Sequence, residues 1–141
     1  ILENHRLDAV MSMPDLLFSP IGVVACIMVF TAHVPHEQNQ YHQTWFGYWK
    51  NDGYIKTKHK GRIDSGTWKS IQEKWSSSYF SKSQEPGFSV LKKVTAQDEW
   101  CAEAYLETDY SDLTESDFVA EIKKYVVFKI INDDETAIET E

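Results

Sequence analysis

A run of ten consecutive apolar residues, from Ile21 to Phe30, does most to decide the fold class of this chain. A helix that spans a bilayer needs about 20 apolar residues, so the run is too short to predict a transmembrane segment. From Val23 onward the run reads VVACIMVF and is rich in β-branched side chains, which is typical of a strand buried on both faces of a sheet. We therefore expect a sheet packed against helices and no association with a membrane.

The composition predicts one compact domain. With 42% hydrophobic and 13% aromatic residues, the chain is too apolar to remain disordered, and 141 residues can enclose one sizeable core. The opening ILENHRLDAV has no basic segment followed by an apolar stretch, so it does not predict a secretory signal. Cys26 and Cys101 lack the Cys-x-x-Cys spacing of a metal site, and we expect both thiols to be buried and reduced in a cytoplasmic protein.

The charge is distributed unevenly along the chain. Residues 1–49 have a net charge of −3, residues 50–96 of +6 and residues 97–141 of −11, which together give the total of −8. A strongly acidic protein is repelled by phosphate, so the total charge argues weakly against nucleic acid as a partner. A basic cluster in the middle segment opposes this argument, because a local cluster can neutralise several phosphates. The cluster consists of Lys50, Lys56, Lys58, Lys60 and Arg62.

Three strand-rich segments are predicted from local patterns. Alternating apolar and polar residues over 7–13 and the apolar run over 23–30 predict two strands, joined by a loop at 14–22 that contains two prolines and a glycine. A polar segment at 35–44 predicts a loop. An Asn-Asp-Gly turn between two aromatic segments then predicts a hairpin over 45–60.

Helices are expected in the second half of the chain. Apolar residues at spacings of three and four predict helices near 67–80 and 115–131, and a capping threonine followed by acidic residues predicts a helix at 96–108. An acidic tail at 132–141 follows the last of them. Three tryptophans in these helices are interpreted as core residues, since large aromatic side chains are mostly buried. These tryptophans are Trp68, Trp75 and Trp100.

Motifs of several enzyme classes are absent from the sequence. Six glycines are scattered without a GxGxxG or GK[ST] phosphate loop, and no Gly-x-Ser-x-Gly nucleophile elbow occurs. His33, His36 and His42 crowd one polar loop without Cys or carboxylate partners at ligand spacing, so we expect solvated side chains and no metal site. The residues alone thus indicate an intracellular α+β domain without an assigned function.

One stretch of the sequence is more specific. Five elements follow one another in a characteristic order: LEN at 2–4, LDAVMSMP at 7–14, Phe18, Gly22-Val23 and ACIMVF at 25–30. In order and spacing they resemble the end of the catalytic domain in amino-methylating, S-adenosylmethionine-dependent DNA methyltransferases. The similarity is greatest to the modification subunits of type I restriction systems. It continues through WFGYWKNDGYIKTKHKGRID and VTAQDEWCAEAY.

The resemblance implies a fold of the α/β to α+β class. Residues 1–34 would be the end of a Rossmann-like methyltransferase domain, with the two predicted strands as an antiparallel pair at the edge of its sheet. Residues 45–131 would form a smaller mixed α+β region. The loop at 14–22 would border the pocket for a target adenine that is swung out of the duplex. Phe18 matches the aromatic residue of that loop and would stack on the base; the alternative is a loop aromatic that packs into the core.

The resemblance also implies which parts of the enzyme lie elsewhere. The Gly-rich cofactor loop and the Asn-Pro-Pro-aromatic catalytic motif have no counterpart in this chain, which contains no Asn-Pro pair. We therefore expect no catalytic, cofactor-binding or metal-binding residues here, and S-adenosylmethionine bound by upstream residues. The chain would be the C-terminal portion of an N6-adenine DNA methyltransferase and inactive alone. The absence of an initiating methionine agrees with this expectation.

Several partners follow from the same resemblance. DNA is the implied substrate, with the basic cluster of residues 50–62 as candidate contacts, although these cations equally fit a solvated face over a small aromatic core. Specificity and restriction subunits are the implied protein partners, and the last helix either packs on its own domain or contacts one of them. The unpaired edge of the strand at 23–30 predicts that the isolated chain self-associates. The rival function is a non-catalytic protein–protein interaction domain.

Overall fold

The computed structural model describes the backbone of residues 1–138 and the side chains of residues 1–132. Residues 139–141, the end of the predicted acidic tail, lie outside the described residues. The chain divides into two compact units, Ile1–Thr108 and Asp109–Glu141. The described elements are β1 (His5–Ser12), β2 (Cys26–Ala32), β3 (Thr44–Tyr48), β4 (Tyr54–Thr57), β5 (Gly61–Asp64), α1 (Trp68–Ser81), β6 (Ser89–Lys92) and α2 (Glu115–Ile138).

A four-stranded mixed sheet in the order β2-β1-β3-β6 organises the first unit. β1 pairs antiparallel with β2, from His5 opposite Ala32 to Ser12 opposite Cys26, which confirms the predicted pairing of the first two strands. On its other side β1 pairs in parallel with β3, and β3 pairs antiparallel with β6. β4 and β5 form a separate two-stranded antiparallel sheet. The described structure is thus a mixed α/β fold.

The two faces of the larger sheet contact different cores. Val10 and the neighbouring Phe46 point to one face, where they pack with Leu7, while Ala9 and Trp45 point to the other face and pack with helix α1. Leu7 and Val10 share a face because a β-bulge between Leu7 and Ala9 interrupts the strict alternation of β1. β1 and β3 therefore contribute buried side chains to both layers.

The predicted hairpin over 45–60 is wrong in its strand partners. β3 pairs with β1 and β6, whereas the hairpin of this region joins β4 to β5 over 54–64. The local turn signal was real, since Gly53 has a positive φ of 79°. However, β3 is apolar on both faces and is therefore more stable in the middle of the larger sheet than in an isolated hairpin.

The predicted burial of the strand at 23–30 is also wrong. β2 begins at Cys26, and its first three residues are exposed, including the thiol that the sequence predicts to be buried. The strand lies at one end of the sheet order and has β1 as its partner within the described residues. Several apolar side chains of this strand are therefore exposed in the described structure.

The predicted helix at 96–108 does not form, apart from one 3-10 turn at Ala102–Ala104. Asp98 does accept hydrogen bonds from the backbone N–H and the hydroxyl of Thr95, as a helix start requires. The chain then turns back, because the indole N–H of Trp100 donates to the Thr95 carbonyl at 2.9 Å and Cys101 has an extended backbone. The backbone N–H of Ala102 then donates to Ser12 Oγ of β1 at 3.0 Å, so a tertiary contact replaces the helical hydrogen bond that the capping residues predict.

The other two predicted helices are confirmed. Helix α1 covers Trp68–Ser81, close to the expected 67–80. Helix α2 begins at Glu115 as predicted and continues to Ile138, beyond the expected end at 131. Asp117 accepts hydrogen bonds from the backbone N–H and hydroxyl of Thr114, which stabilises the start of α2. Neither helix in the described part of the chain is long and apolar enough to cross a membrane.

Candidate functional site

A cleft opens where the parallel strands β1 and β3 end. Their carboxyl ends lie at the same edge of the sheet, and the pairing continues one step further because Trp49 N–H donates to the Ser12 carbonyl at 2.8 Å. In open α/β sheets, ligands bind in the crevice at this edge. The cleft has a volume of about 540 Å³, which is within the range of ligand sites. It is lined by Met13, Leu17, Trp49, Asp52, Tyr54, Arg62 and Trp68.

Three stacked indole rings run from the core to this cleft. Trp75 is buried in the core with 4% exposure, and its ring lies 4.7 Å from that of Trp49 at an angle of 24°. Trp49 in turn stacks on Trp68, with ring centroids 5.5 Å apart and planes 1° from parallel. Trp68 has 36% of its surface exposed, so its prediction as a core residue is wrong. We call these three residues the tryptophan stack.

The segment before the hairpin fixes the outer end of the tryptophan stack. Gly53 packs so closely against the start of α1 that a Cβ atom there would lie 2.8 Å from the backbone nitrogen of Trp68. Its carbonyl accepts hydrogen bonds from the backbone N–H and the hydroxyl of Ser65, at 2.8 and 2.6 Å. Glycine is required here for both the close approach and the positive φ.

Arg62 ties the hairpin both to the segment before it, through an ion pair with Asp52, and to the loop at 14–22, through a hydrogen bond. Nη2 of Arg62 donates to both carboxylate oxygens of Asp52, which is buried. Nη1 of Arg62 donates to the carbonyl of Leu17 at 3.3 Å, and the guanidinium lies 5.4 Å from the ring centroid of Tyr54. Arg62 was predicted as a DNA contact; the structure shows its guanidinium engaged with groups of the cleft itself. The DNA contact at this position stays a prediction.

The loop at 14–22 folds back on itself in successive turns. Leu17 N–H donates to the Pro14 carbonyl, and Ile21 N–H donates to the Phe18 carbonyl, at 3.0 and 2.9 Å. Phe18 has 52% of its surface exposed, so it is not plugged into the core. Its neighbour Leu17 lines the cleft, whereas Phe18 does not. The ring is therefore accessible at the edge of the sheet where the resemblance places a target base.

The remaining cations of the basic cluster are all exposed. Lys56 lies on the same face of β4 as Tyr54, and it stands directly opposite Arg62 on β5. Asp52 is paired with Arg62, so its negative charge is already cancelled. It therefore does not reduce the positive charge of the neighbouring lysines. These exposed lysines are Lys50, Lys56, Lys58 and Lys60.

The histidines of the polar loop do not behave alike. His36, predicted to be solvated, is buried: its Nδ1 accepts from Leu7 N–H at 3.2 Å and its Nε2 donates to the Val94 carbonyl at 3.0 Å. Burial lowers the pKa of His36 below its usual value of 6.5. The ring links β1 to the segment after β6 and has a structural role.

Sequence reasoning missed the cleft because its walls come from distant segments. The spacing of Trp68 and Trp75, two helical turns apart, indicated a common face of α1. Nothing local indicated that Trp49 lies between them. The Asp-Gly pair at 52–53 was noticed as a turn, but its role in holding Trp68 depends on the folded structure.

Comparisons with known proteins agree with the resemblance at the level of the family. The family model described as N-6 DNA Methylase matches residues 1–134. A curated relative from Heyndrickxia coagulans, described as "Type II restriction enzyme and methyltransferase RM.BcgI", is 28% identical over 131 residues. The match covers 92% of this chain and 20% of the relative, so the chain spans about a fifth of that protein's length.

Proposed function

The chain belongs to the N-6 DNA methylase family, and from this premise we propose that it forms part of an N6-adenine DNA methyltransferase and helps to build the pocket for the target adenine. A methyltransferase cannot reach an amino group inside the duplex, so it extrudes the base and holds it in a pocket. The observation that carries the proposal is the exposed ring of Phe18, on the loop that follows β1 at the carboxyl edge of the sheet.

In this proposal Phe18 stacks on the face of the extruded adenine. Stacking of a base on an aromatic side chain contributes about 1–3 kcal/mol. The successive turns of the loop at 14–22 and the hydrogen bond from Arg62 to the Leu17 carbonyl hold the backbone beside Phe18. The ring is therefore presented from a positioned loop, which lowers the entropy cost of binding the base.

S-adenosylmethionine is the methyl donor that the family implies. Its amino and ribose hydroxyl groups need acceptors, and Asp52, the carboxylate that lines the cleft, is already held by Arg62. The lining of this cleft thus offers no free carboxylate and does not fit this cofactor, and we assign its binding to other parts of the methyltransferase. The chain has no Asn-Pro pair and no Gly-rich phosphate loop. We therefore propose that it is inactive alone and works as the C-terminal portion of a larger enzyme.

The class of restriction–modification system is a further part of the proposal. Residues 2–30 resemble type I modification subunits, while the curated relative is described as a type II enzyme. We favour a type I modification subunit, with specificity and restriction subunits as its partners in the cytoplasm, because order and spacing agree over the whole of 2–30. Co-purification of the full-length protein with a specificity subunit supports this class; a single polypeptide that cleaves DNA and methylates it contradicts it.

The test of the adenine pocket is Phe18→Ala in a full-length methyltransferase that contains this chain. We expect kcat/KM for transfer of tritiated methyl groups to unmethylated bacteriophage DNA to fall by about tenfold, as the loss of one stacking contact predicts. Leu16→Ala is the matched control, since Leu16 is an exposed apolar residue of the same loop. Equal methyl transfer and equal DNA affinity in the wild type and Phe18→Ala would rule out the stacking role.

A second candidate function is protein–protein interaction, and helix α2 favours it. Its apolar side chains are 40–61% exposed, which is unusual for a helix with so many of them. They are Phe118, Val119, Ile122, Tyr125, Val126, Val127, Phe128, Ile130 and Ile131. If the chain were only an interaction domain, the full-length protein would bind its partner and show no methyl transfer. Methylation of adenine by the full-length protein would support the methyltransferase function instead.

Strand β2 supports the predicted self-association of the isolated chain. Ile27 and Met28 are exposed on a strand that is at the end of the sheet order in the described residues. Edge strands with exposed apolar residues recruit other chains. Sedimentation velocity at high concentration is expected to show dimers or larger species, whereas a single monomeric boundary would contradict this part of the proposal.

A further inference from the structure

We propose that the cleft between the loop at 14–22 and the β4–β5 hairpin is a second base-binding site, which takes one unpaired nucleobase other than the target adenine on the exposed side of Trp68. The inference rests on the proposed function in one respect only, which is that the ligand is DNA. The base proposed for the tryptophan stack is not the target adenine, and the adenine pocket can work without it.

The tryptophan stack is a preformed platform for a flat ring. Its inner member, Trp75, is fixed by edge contacts with Trp45 at 5.7 Å and with Phe88 at 5.4 Å. Trp49 lies parallel to Trp68 within 1°, so the outer ring is supported from below by two further rings. A nucleobase placed on Trp68 continues the same stack. Because the rings are already ordered, little conformational entropy is lost on binding.

The cleft offers the space and a second aromatic wall for such a base. Its volume of about 540 Å³ is ample for a single nucleotide. Tyr54 is exposed and contributes to the lining together with Leu17, from the opposite segment. Aromatic stacking tolerates any base, because every base has a π-face. We therefore expect the site to prefer an unpaired nucleotide without selecting its identity.

The charges around the cleft favour a ligand with a phosphate. Lys50 follows Trp49 directly, and the hairpin face that carries Tyr54 has Lys56 and Arg62 beside one exposed acid, Asp64. The exposed lysines of this border therefore outnumber that acid. The carboxylate in the lining, Asp52, is covered by its ion pair. An aromatic platform bordered by cations is the arrangement that binds single-stranded nucleic acid. An aromatic side chain of an uncharged or acidic peptide would not contact both the aromatic platform and the cations with a ring and a phosphate, as a nucleotide does.

The site is separate from the proposed adenine pocket. Phe18 is not among the residues that line the cleft, although its neighbour Leu17 is. The two rings, Phe18 and Trp68, therefore belong to adjacent but different surfaces of the same sheet edge. During methylation one extruded base and one further unpaired base would be held at once.

The experiment measures binding of a short fluorescein-labelled oligothymidylate to this chain by fluorescence anisotropy. We expect Trp68→Ala to weaken binding by about tenfold, the effect of losing one base stacked on an aromatic ring. Trp68→Leu, which retains an apolar cover over Trp49, is expected to weaken binding similarly while keeping the fold, as checked by circular dichroism. Phe80→Ala is the matched control, because Phe80 is an aromatic residue of the same helix with 79% exposure; it should stay within twofold of the wild type.

An abasic deoxyribose-phosphate oligomer of the same length separates stacking from charge. We expect it to bind about tenfold more weakly than oligothymidylate and to be insensitive to Trp68→Ala. The inference is overturned if the two probes bind equally, if wild type binds neither, or if Trp68→Leu with an intact fold binds as well as wild type. Failure of the adenine pocket is recognised separately, because that pocket is tested by methyl transfer with the full-length enzyme and its Phe18→Ala variant, whereas this site is tested by oligothymidylate binding and its Trp68 variants.

Discussion

Strand β3 and the β4–β5 hairpin follow one another in the chain, yet they occupy opposite environments. β3 is buried over four of its five residues, whereas the hairpin strands are mostly exposed, including Ile55 and Ile63. β3 lies between β1 and β6, while the hairpin has no third strand in the described structure. The difference teaches that the buried aromatic residues of β3, Trp45 and Phe46, stabilise the fold. The exposed aromatic residues after it, Tyr54 and Trp68, are accessible to a ligand. Trp49 lies between the two segments in the chain, and it stacks both on the buried Trp75 and on the exposed Trp68.

The largest effect is expected on the buried side of this comparison, at Gly47 of β3. An added Cβ atom would lie 2.3 Å from Cη2 of Trp45 and 3.0 Å from Cη2 of Trp75, where core packing leaves no room. Gly47→Ala should therefore lower the free energy of unfolding by about 3 kcal/mol in urea titrations. The control is Gly22→Ala, because no atom lies within 4 Å of a Cβ at Gly22. Equal stability of both variants would show that β3 is not tightly packed.

On the exposed side, charge rather than packing is expected to matter. Reversal of the four exposed lysines, Lys50, Lys56, Lys58 and Lys60, to glutamate should weaken duplex DNA binding by about a hundredfold, because each cation neutralises one phosphate. The slope of log K against log salt should become shallower by up to about 3.6. Binding titrations at several salt concentrations measure both effects, and unfolding should change little.

A second quadruple variant tests whether position or total charge decides the affinity. It reverses four exposed lysines elsewhere in the chain: Lys92, Lys93, Lys123 and Lys129. We expect the loss of affinity to be much smaller than for the hairpin lysines. If both quadruple variants lose the same DNA affinity, the hairpin is not a DNA-binding surface. The hairpin and β3 would then differ in burial and not in DNA binding.

The smallest effect is expected from a buried histidine next to the core, compared with an exposed one on the hairpin. Burial lowers the pKa of His36, so the unfolded chain binds a proton at this site at higher pH than the folded chain does. Its contribution to stability is therefore complete above pH 6.5 and is lost as the pH falls from there through the lower folded pKa. Thermal unfolding between pH 5 and 8 should show this decline. His36→Gln should reduce it, whereas the exposed His59→Gln should not; the opposite pattern would contradict the burial argument.

How far the sequence predicted the structure depends on how local each determinant is. Apolar alternation in β1 and the run that contains β2 are local patterns, and the pairing of these strands followed from them and from the resemblance. Helix α1 was likewise predicted from spacing within one segment. The failed helix at 96–108 had the correct local cap, but the N–H of Ala102 donates to Ser12 Oγ of β1, a contact that only the folded chain determines.

The candidate site shows the same limit. Phe18 is proposed as a site residue because a motif with fixed order and spacing surrounds it, and its role stays a prediction. The contacts of Trp49 with two residues of α1, and of Arg62 with Asp52 and Leu17, join segments far apart in the chain. Composition and periodicity do not encode which distant segments meet. The aromatic and basic pattern of residues 45–62 therefore fitted either a DNA-binding surface or a solvated face over an aromatic core, and it gave the geometry of neither.

The claim on which the proposed function depends is that the carboxyl ends of β1 and β3 face DNA. The most direct measurement is photochemical cross-linking of this chain to DNA that contains 5-iodouracil, followed by identification of the cross-linked peptides by mass spectrometry. We predict cross-links in peptides that contain the loop at 14–22 and residues 49–68. Cross-links confined to α2 or to β2, with none in these two segments, would contradict the claim.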